Sequence, residues 1–292
     1  MHTLDRVPIR CSIVGMGEVA LGDETNADFI MVVKGYFDDS GDDKRKRFVS
    51  VGGLLGNKTQ WDALQIPWAL ECYRLKGPFR SADCESQRGC CDGWTVDQTA
   101  ALMRNLVKII AATHVMGLGS IVPVPEYHRM FPGSGMHDPY FLALKHIIIN
   151  MADIGRVAYA AFGFDSIQLW HEEGDTDEAA QQIYKDLKAV PGWMDAKRLE
   201  AFSIGTKRVI GLQAADLMAR ESFKHADNMG VRKTRKPVKA LRDQTCFHLW
   251  NTECLEFLRD NGGPNNLQLL TTWSQRNDVP TMTRLYRQGF GH

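Results

Sequence analysis

Apolar and β-branched residues recur along the chain in short runs, each about the length of a strand. The clearest run, at residues 29–33, reads Phe-Ile-Met-Val-Val and has the composition of a strand buried on both faces. Longer stretches between the runs carry apolar residues at helical spacing. The pattern predicts strands at about 29–38, 47–55, 114–123, 166–170 and 198–204. It predicts helices at about 57–75, 95–113, 139–154, 176–188, 210–223 and 245–260.

The order of these elements indicates an α/β domain. Without the helices at about 57–113, which form an insertion after the second strand, the order is β-β-β-α-β-α-β-α. This is the element order of a ribonuclease H-like fold, a mixed five-stranded sheet flanked by helices. We therefore predict such a domain at residues 29–225, with an N-terminal extension at 1–28 and a C-terminal accessory region at 226–292.

The first predicted strand ends in acidic residues, and residues 38–43 read Asp-Asp-Ser-Gly-Asp-Asp. An ordinary solvated turn explains the last two aspartates, because Asp bonds to its own backbone and Gly accepts positive φ. It explains Asp38 less well, since Asp38 still lies within the strand pattern, where a carboxylate needs a cation beside it. Asp38 is therefore a candidate metal ligand, with Asp39 and Ser40 as accessory residues.

A second acidic strand end follows at residues 171–175, which read His-Glu-Glu-Gly-Asp. Successive side chains of a strand point to opposite faces, so only one of Glu172 and Glu173 can serve a site on one face. We choose Glu172 and keep Glu173 as an accessory candidate. The first and fourth strands of the predicted fold are parallel neighbours, which places Asp38 and Glu172 at the same edge of the sheet.

The predicted helix at 210–223 carries the third candidate acid. Small apolar residues on nearly every side predict that this helix is buried. Gln213 and Asp216 are three residues apart and share a face, so Asp216 can reach the sheet edge with Gln213 as a helper. The alternative is a buried ion pair between Asp216 and Arg220, four residues further on. Asp83, on a predicted loop, is a further accessory candidate, and a solvated acid is the alternative there.

Three clustered carboxylates need a counter-ion to stay charged. Hard oxygen ligands favour Mg²⁺ or Mn²⁺, and two such ions can activate a water and stabilise the leaving oxygen of a phosphodiester. In that scheme Asp38 bridges both ions, and Glu172 and Asp216 each hold one. No local motif favours a Ser-His-Asp or Cys-His site. His171 adjoins Glu172 as a candidate proton carrier, but a solvated strand-end histidine is the simpler interpretation.

Charge and composition limit the partners. The 292 residues have a formal net charge of zero, so a polyanion has to be met by a local patch. The stretch after residue 223 is basic and follows the helix of Asp216, which makes it the predicted contact for DNA or RNA, with a solvated face as the alternative. The basic residues are Lys224, Arg232, Lys233, Arg235, Lys236, Lys239 and Arg242.

No apolar run reaches the roughly 18 residues that a membrane helix needs, so no membrane partner is predicted. The seven irregularly spaced cysteines fit reduced thiols, and we predict a cytoplasmic protein. Cys84, Cys90 and Cys91 lie close together, but they form no Cys-x-x-Cys pair and no histidine lies at finger spacing. A structural zinc site is therefore the less favoured interpretation of these three residues.

The strand end at 38–41, Asp-Asp-Ser-Gly, and the helix segment at 212–217, Leu-Gln-Ala-Ala-Asp-Leu, resemble a known family. This is the domain of unknown function 3800 family, which has a strand ending in Asp-Glu-Ser-Gly and a helix with Leu-Gln-x-Ala-Asp-Leu. The similarity covers about residues 30–225. It implies a ribonuclease H-like fold and a metal-dependent nuclease.

Weaker matches and two departures accompany this resemblance. The segment at 79–83, Phe-Arg-Ser-Ala-Asp, is similar to a Phe-His-x-x-Asp loop of the family, and Glu172 with Gly174 to its acid at the end of the fourth strand. Asp39 stands where the family has Glu, which keeps the charge and shortens the reach. Arg80 stands where the family has His, so a role for that histidine is lost or altered.

These observations together predict metal-dependent phosphodiester hydrolysis, with nucleic acid as the substrate. One alternative is a non-catalytic nucleic-acid-binding or scaffold protein of the same fold, which would bind nucleic acid without binding metal. Another is a metal-dependent hydrolase of small phosphorylated molecules, for which nucleotides would compete. A shared fold does not decide among them.

Overall fold

The computed structural model describes residues 31–42, 46–158, 164–229, 231–233, 235–241 and 243–280. The predicted N-terminal extension at 1–28, the first two residues of the first predicted strand and Arg242 lie outside the described residues. Within these ranges, no helix combines the length and the apolar character that crossing a membrane requires.

A mixed six-stranded sheet forms the centre of the molecule. Its strands are β1 (Met31–Gly41), β2 (Phe48–Asn57), β3 (Met116–Pro123), β4 (Phe164–Glu172), β5 (Leu199–Gly205) and β6 (Thr245–Leu249). Their spatial order is β5-β4-β1-β2-β3-β6. Strand β2 is antiparallel to both β1 and β3, whereas the β1–β4, β4–β5 and β3–β6 pairs are parallel. The five predicted strands are confirmed, and the predicted total of five is wrong by one.

The sixth strand corrects the prediction of a helix at 245–260. Residues Thr245–Leu249 pair in parallel with β3, from Gly117 opposite Thr245 to Ile121 opposite Leu249, and the helix begins only at Thr252. The pattern of a short apolar run does not distinguish a strand from a helix. Here the run forms a strand because the free edge of β3 is available for pairing. The sheet therefore extends into the region predicted as accessory.

Ten α-helices flank the sheet in the described ranges: α1 (Lys58–Cys72), α2 (Ser81–Ser86), α3 (Val96–Thr113), α4 (Val124–Met130), α5 (Asp138–Ala158), α6 (Asp177–Lys188), α7 (Ile210–Asn228), α8 (Lys236–Ala240), α9 (Thr252–Asp260) and α10 (Leu267–Trp273). The helical insertion after β2 is confirmed as α1 to α3. Capping boxes at Asn57 with Gln60 and at Thr95 with Gln98 set the starts of α1 and α3. Helices α2 and α4 form where loops were predicted.

Two apolar cores lie on opposite faces of the sheet. Helix α5 covers one face, where it meets Val33 and Phe37 of β1. Helices α1, α3 and α7 cover the other face, where Tyr36 belongs to the core. Side chains alternate along a strand, so Asp38 points to the face of α7. Nearly every residue of the first three turns of α7 is buried, as its composition predicted.

Helix α7 packs against β2 with no room for a side chain at Gly52. A Cβ at this position would lie 2.5 Å from the Cα of Ala219 in α7. We expect Gly52→Ala to push α7 away from the sheet and to lower the free energy of unfolding by about 1–3 kcal/mol, measured by urea denaturation. Gly174→Ala is the matched control, because a Cβ there meets nothing within 4 Å. Equal stability of the two variants would contradict this packing.

Candidate functional site

The three predicted carboxylates meet around one ammonium group, that of Lys207. Asp38 comes from β1, Glu172 from the end of β4 and Asp216 from α7. The Nζ of Lys207 forms an ion pair with Oδ2 of Asp38 and lies 2.9 Å from Oε2 of Glu172 and 3.3 Å from Oδ1 of Asp216. The acids thus share one cation at the carboxyl ends of the parallel strands β1 and β4. We call these four residues the acid–lysine cluster.

Sequence reasoning missed Lys207, which lies in the loop between β5 and α7. Its ammonium also donates to the carbonyl of Leu212 at 3.3 Å, and its own carbonyl accepts from Nε2 of Gln213 at 2.7 Å. The indole of Trp68 donates to Oε1 of Gln213 at 3.0 Å. Gln213 therefore supports the loop that carries Lys207, which is a more specific task than the helper role predicted for it.

The charged groups at the centre of the cluster are buried, which strengthens their electrostatic interactions. Asp38 and Lys207 are each only 4% exposed. Burial alone would lower the pKa of Lys207, but Asp38, Asp216 and Glu172 together raise it above its ordinary value. Lys207 is therefore a permanent cation in this environment.

One ammonium does not balance three acids. Burial raises the pKa of Asp38 well above its usual range, and the charges on Asp216 and Glu172 raise it further against the opposing effect of Lys207. The cluster thus has room for additional positive charge. A proton on Asp38 supplies it in part, and a divalent cation would supply it more fully.

The start of α2 closes one side of the cluster. The backbone N–H of Ser81 donates to Oδ2 of Asp216 at 2.6 Å. Nη2 of Arg80 donates to Oε1 of Glu172 at 3.1 Å, and more than half of the Arg80 side chain is exposed. Arg80, which replaces a histidine of the resembled family, therefore presents a positive charge at the solvent side of the acids.

The accessory candidates lie in three different places. Asp39 and Glu173 line a cleft of about 150 Å³ beside Asp38, and the N–H of Asp39 donates to Oδ1 of Asp38 at 2.7 Å. Ser40 lies opposite Ser50 of β2 in the strand register. Asp83 accepts from the N–H of Cys90 at 3.0 Å and so holds a neighbouring turn. Glu172 is the one of the two adjacent glutamates that contacts Lys207.

The alternative ion pair between Asp216 and Arg220 is not formed. Nε of Arg220 donates to Oε2 of Glu85 at 2.9 Å, because α2 lies beside this part of α7. Lys224 and Arg235 also approach Glu85, at 3.7 and 3.5 Å. Part of the predicted basic patch is therefore neutralised by an acid of α2.

His171 is buried and faces away from the cluster, so its interpretation as a solvated strand end is wrong. Its Nε2 is 2.9 Å from the hydroxyl of Tyr140 in α5. Burial lowers the pKa of His171 to about 4, against the smaller opposing effects of Asp177 and Glu172. The imidazole is therefore neutral at pH 7.

The donor set of the cluster fits a hard divalent ion, since all three acids offer carboxylate oxygens to one point. The Lys207 ammonium occupies that point. A metal ion therefore binds there only if Lys207 moves away or if the ion and Lys207 share the three carboxylates. In the described part of the chain, two groups bring three potential ligand atoms within 4.8 Å of one another, and neither is the acid–lysine cluster. They are Cys84 with Cys90 and Cys91, and His146 with His248 and Asp278.

The chain matches no known protein-family model. No curated protein is significantly similar to it in sequence. The family resemblance of the motifs around Asp38 and Asp216 therefore stays a prediction.

The raised pKa of Asp38 predicts a defined pH dependence of stability. The native state holds this proton more tightly than the unfolded chain, so the stabilisation is present below the unfolded pKa and is lost as the pH rises through the folded pKa. We expect the wild type to lose part of its stability advantage over Asp38→Asn as the pH rises above the ordinary pKa of an aspartate, about 4. Urea denaturation at a series of pH values measures the difference.

The control for this experiment is Asp97→Asn, which changes an exposed acid in the first turn of α3. A difference between wild type and Asp38→Asn that grows with pH would contradict the prediction. It would show that the ion pair with Lys207 stabilises the charged form of Asp38 more than burial destabilises it.

Proposed function

We propose that the acid–lysine cluster is the metal-binding centre of a phosphodiesterase that cleaves nucleic acid. The observation that carries the proposal is the convergence of Asp38, Glu172 and Asp216 on one buried cationic position with negative charge in excess. Three acids from three separate elements are a costly arrangement for stability alone, because Asp38 loses nearly all of its hydration and Glu172 and Asp216 lose much of theirs. A site that takes up a divalent cation accounts for the arrangement.

A ribonuclease H-like fold is part of this proposal. It is supported by the order β5-β4-β1-β2-β3 within the sheet, with β2 antiparallel to both of its neighbours and β4 parallel to both of its own. The acids lie where the parallel strands β1 and β4 end, which is the usual position of a site in an open α/β sheet. Strand β6 extends the sheet beyond β3, away from the acids.

Mg²⁺ or Mn²⁺ would be held by Asp38, Glu172 and Asp216 and would supply activation of water and stabilisation of the leaving oxygen. The chain's own groups prepare this site. The N–H of Ser81 fixes the carboxylate of Asp216, and the raised pKa of Lys207 keeps a positive charge beside the acids. The exposed guanidinium of Arg80 is placed to meet a phosphate of the substrate.

Lys207 itself favours a second candidate, a non-catalytic protein of the same fold that binds nucleic acid. Its ammonium already meets all three acids, as a structural counter-ion would. In that case the acids and Lys207 serve to hold β1, β4 and α7 together, and no metal enters.

Metal binding separates the two candidates. We expect wild-type protein to bind Mn²⁺ in calorimetry, and Asp38→Asn and Asp216→Asn each to weaken binding by about tenfold or more, because each removes one charged ligand. We expect Lys207→Met to bind Mn²⁺ more tightly, because it removes the competing cation. Cleavage of single- and double-stranded DNA and RNA, with nucleotides as competitors, then identifies the substrate.

Glu173→Gln is the matched control, since Glu173 adjoins Glu172 in sequence and is exposed in the neighbouring cleft. It should keep most of the Mn²⁺ affinity. If the wild type and Lys207→Met both fail to bind Mn²⁺, even with an oligonucleotide present, the metal-dependent function is wrong and the non-catalytic candidate takes its place.

A further inference from the structure

Three buried thiols converge at the end of α2, outside the acid–lysine cluster. Cys84 lies in α2, and Cys90 and Cys91 lie in the 3-10 turn that follows at Gly89–Cys91. Their Sγ atoms all lie within 4.8 Å of one another, and those of Cys90 and Cys91 are 3.9 Å apart. Sulfurs bound to one zinc at about 2.3 Å lie about 3.8 Å apart at the corners of a tetrahedron. The thiol spacing therefore already has the dimensions of a zinc–thiolate site.

Backbone hydrogen bonds fix the turn that carries the thiols. The backbone N–H of Arg88 donates to the carbonyl of Asp83 at 3.0 Å, and that of Cys91 donates to the carbonyl of Arg88 at 2.9 Å. Asp83 fixes the turn by accepting from the N–H of Cys90 at 3.0 Å. Hydrogen bonds around a metal site hold its ligands in place.

We propose that Cys84, Cys90 and Cys91 bind a structural zinc ion. The site takes a soft, thiolate-binding ion, in contrast to the oxygen ligands of the acid–lysine cluster. Each of the three thiols releases its proton to solvent when the ion binds. Cys72 is a candidate for the fourth ligand, because it packs against the same apolar core.

The spacing of the cysteines in the sequence disfavours this site, because Cys84 and Cys90 are too far apart for a Cys-x-x-Cys pair. The structure closes that gap with two residues at positive φ, Gln87 and Gly89, which turn the chain back on itself. A disulfide needs sulfurs about 2.0 Å apart, far closer than those of Cys90 and Cys91. Three thiols around one point suit a metal better than a pairwise bond.

A zinc ion here would act on the acid–lysine cluster through α2. Cys84 is one helical turn beyond Ser81, whose N–H donates to Asp216. Fixing Cys84 fixes this donor. The proposed zinc is structural, and this proposal does not depend on Mn²⁺ binding at Asp38 and Asp216.

The test begins with the zinc content of purified wild-type protein from zinc-supplemented medium, measured by plasma mass spectrometry. We expect about one zinc per chain. Chelator-treated wild type should take up Co²⁺ with the intense near-ultraviolet absorption of thiolate-to-cobalt charge transfer and the visible bands of a tetrahedral site. Added Zn²⁺ should remove both signals. The cobalt titration needs no variant and so does not depend on whether variants fold.

Cys84→Ser and Cys90→Ser should each lose most of the zinc and the charge-transfer absorption. Cys254→Ser and His248→Gln are the controls, because both positions lie outside the thiol group, and His248 belongs to the other possible ligand group. Both controls should keep the zinc.

The proposal is overturned if the wild type holds no zinc and Co²⁺ gives no charge-transfer absorption. It is also overturned if His248→Gln, and not Cys84→Ser, loses the zinc, or if intact-mass analysis shows Cys84 joined to Cys90 or Cys91 as a disulfide. The zinc content of Asp38→Asn and Asp216→Asn keeps the two sites distinguishable, because both variants keep the three thiols and should each retain about one zinc per chain.

Discussion

The balance of charge around the Lys207 ammonium governs the arrangement of the surrounding elements. Asp38, Glu172 and Asp216 come from β1, β4 and α7, and the ammonium is the group that all three contact. Removing one partner of a buried ion pair costs about 3–5 kcal/mol, because an uncompensated charge remains. Lys207 therefore holds α7 to the sheet as long as no stronger cation replaces it. The same contacts leave negative charge in excess, so stability and the capacity for a divalent ion arise from one group of residues.

Much of this cluster could be predicted because it depends on regular structure. The strand order makes β1 and β4 parallel neighbours, and parallel neighbours bring Asp38 and Glu172 to one edge. The two-residue period of a strand separates Glu172 from Glu173 without knowledge of any contact. A helix composed of small apolar residues packs closely on the sheet, and this brings Asp216 within reach. Each of these steps needs only the periodicity of a helix or strand, or the direction in which a strand runs.

The features that the sequence analysis missed depend on tertiary contacts, which the periodicity of apolar residues does not encode. Lys207 lies in a loop, and the composition of that loop does not distinguish it from a solvated lysine. Its one local signal is Gln213, whose side chain holds the Lys207 carbonyl. The spacing of Asp216 and Arg220 permits an ion pair, but the competing partner Glu85 is 135 residues away in sequence. Strand β6 likewise forms because it pairs with the free edge of β3, and the local sequence pattern does not show that this edge is available.

Helix α2 connects the two clusters, and its length explains why. An isolated helix of six residues is unstable in water, so contacts outside it have to define its position. Its first N–H donates to Asp216, Glu85 pairs with Arg220, and Cys84 packs with the other thiols. Contacts on one side set the charge environment of the acids, and contacts on the other set the thiol spacing. Because α2 is one turn and a half long, a displacement at Cys84 reaches the N–H of Ser81. The geometry of Asp216 thus depends on how the thiols are held.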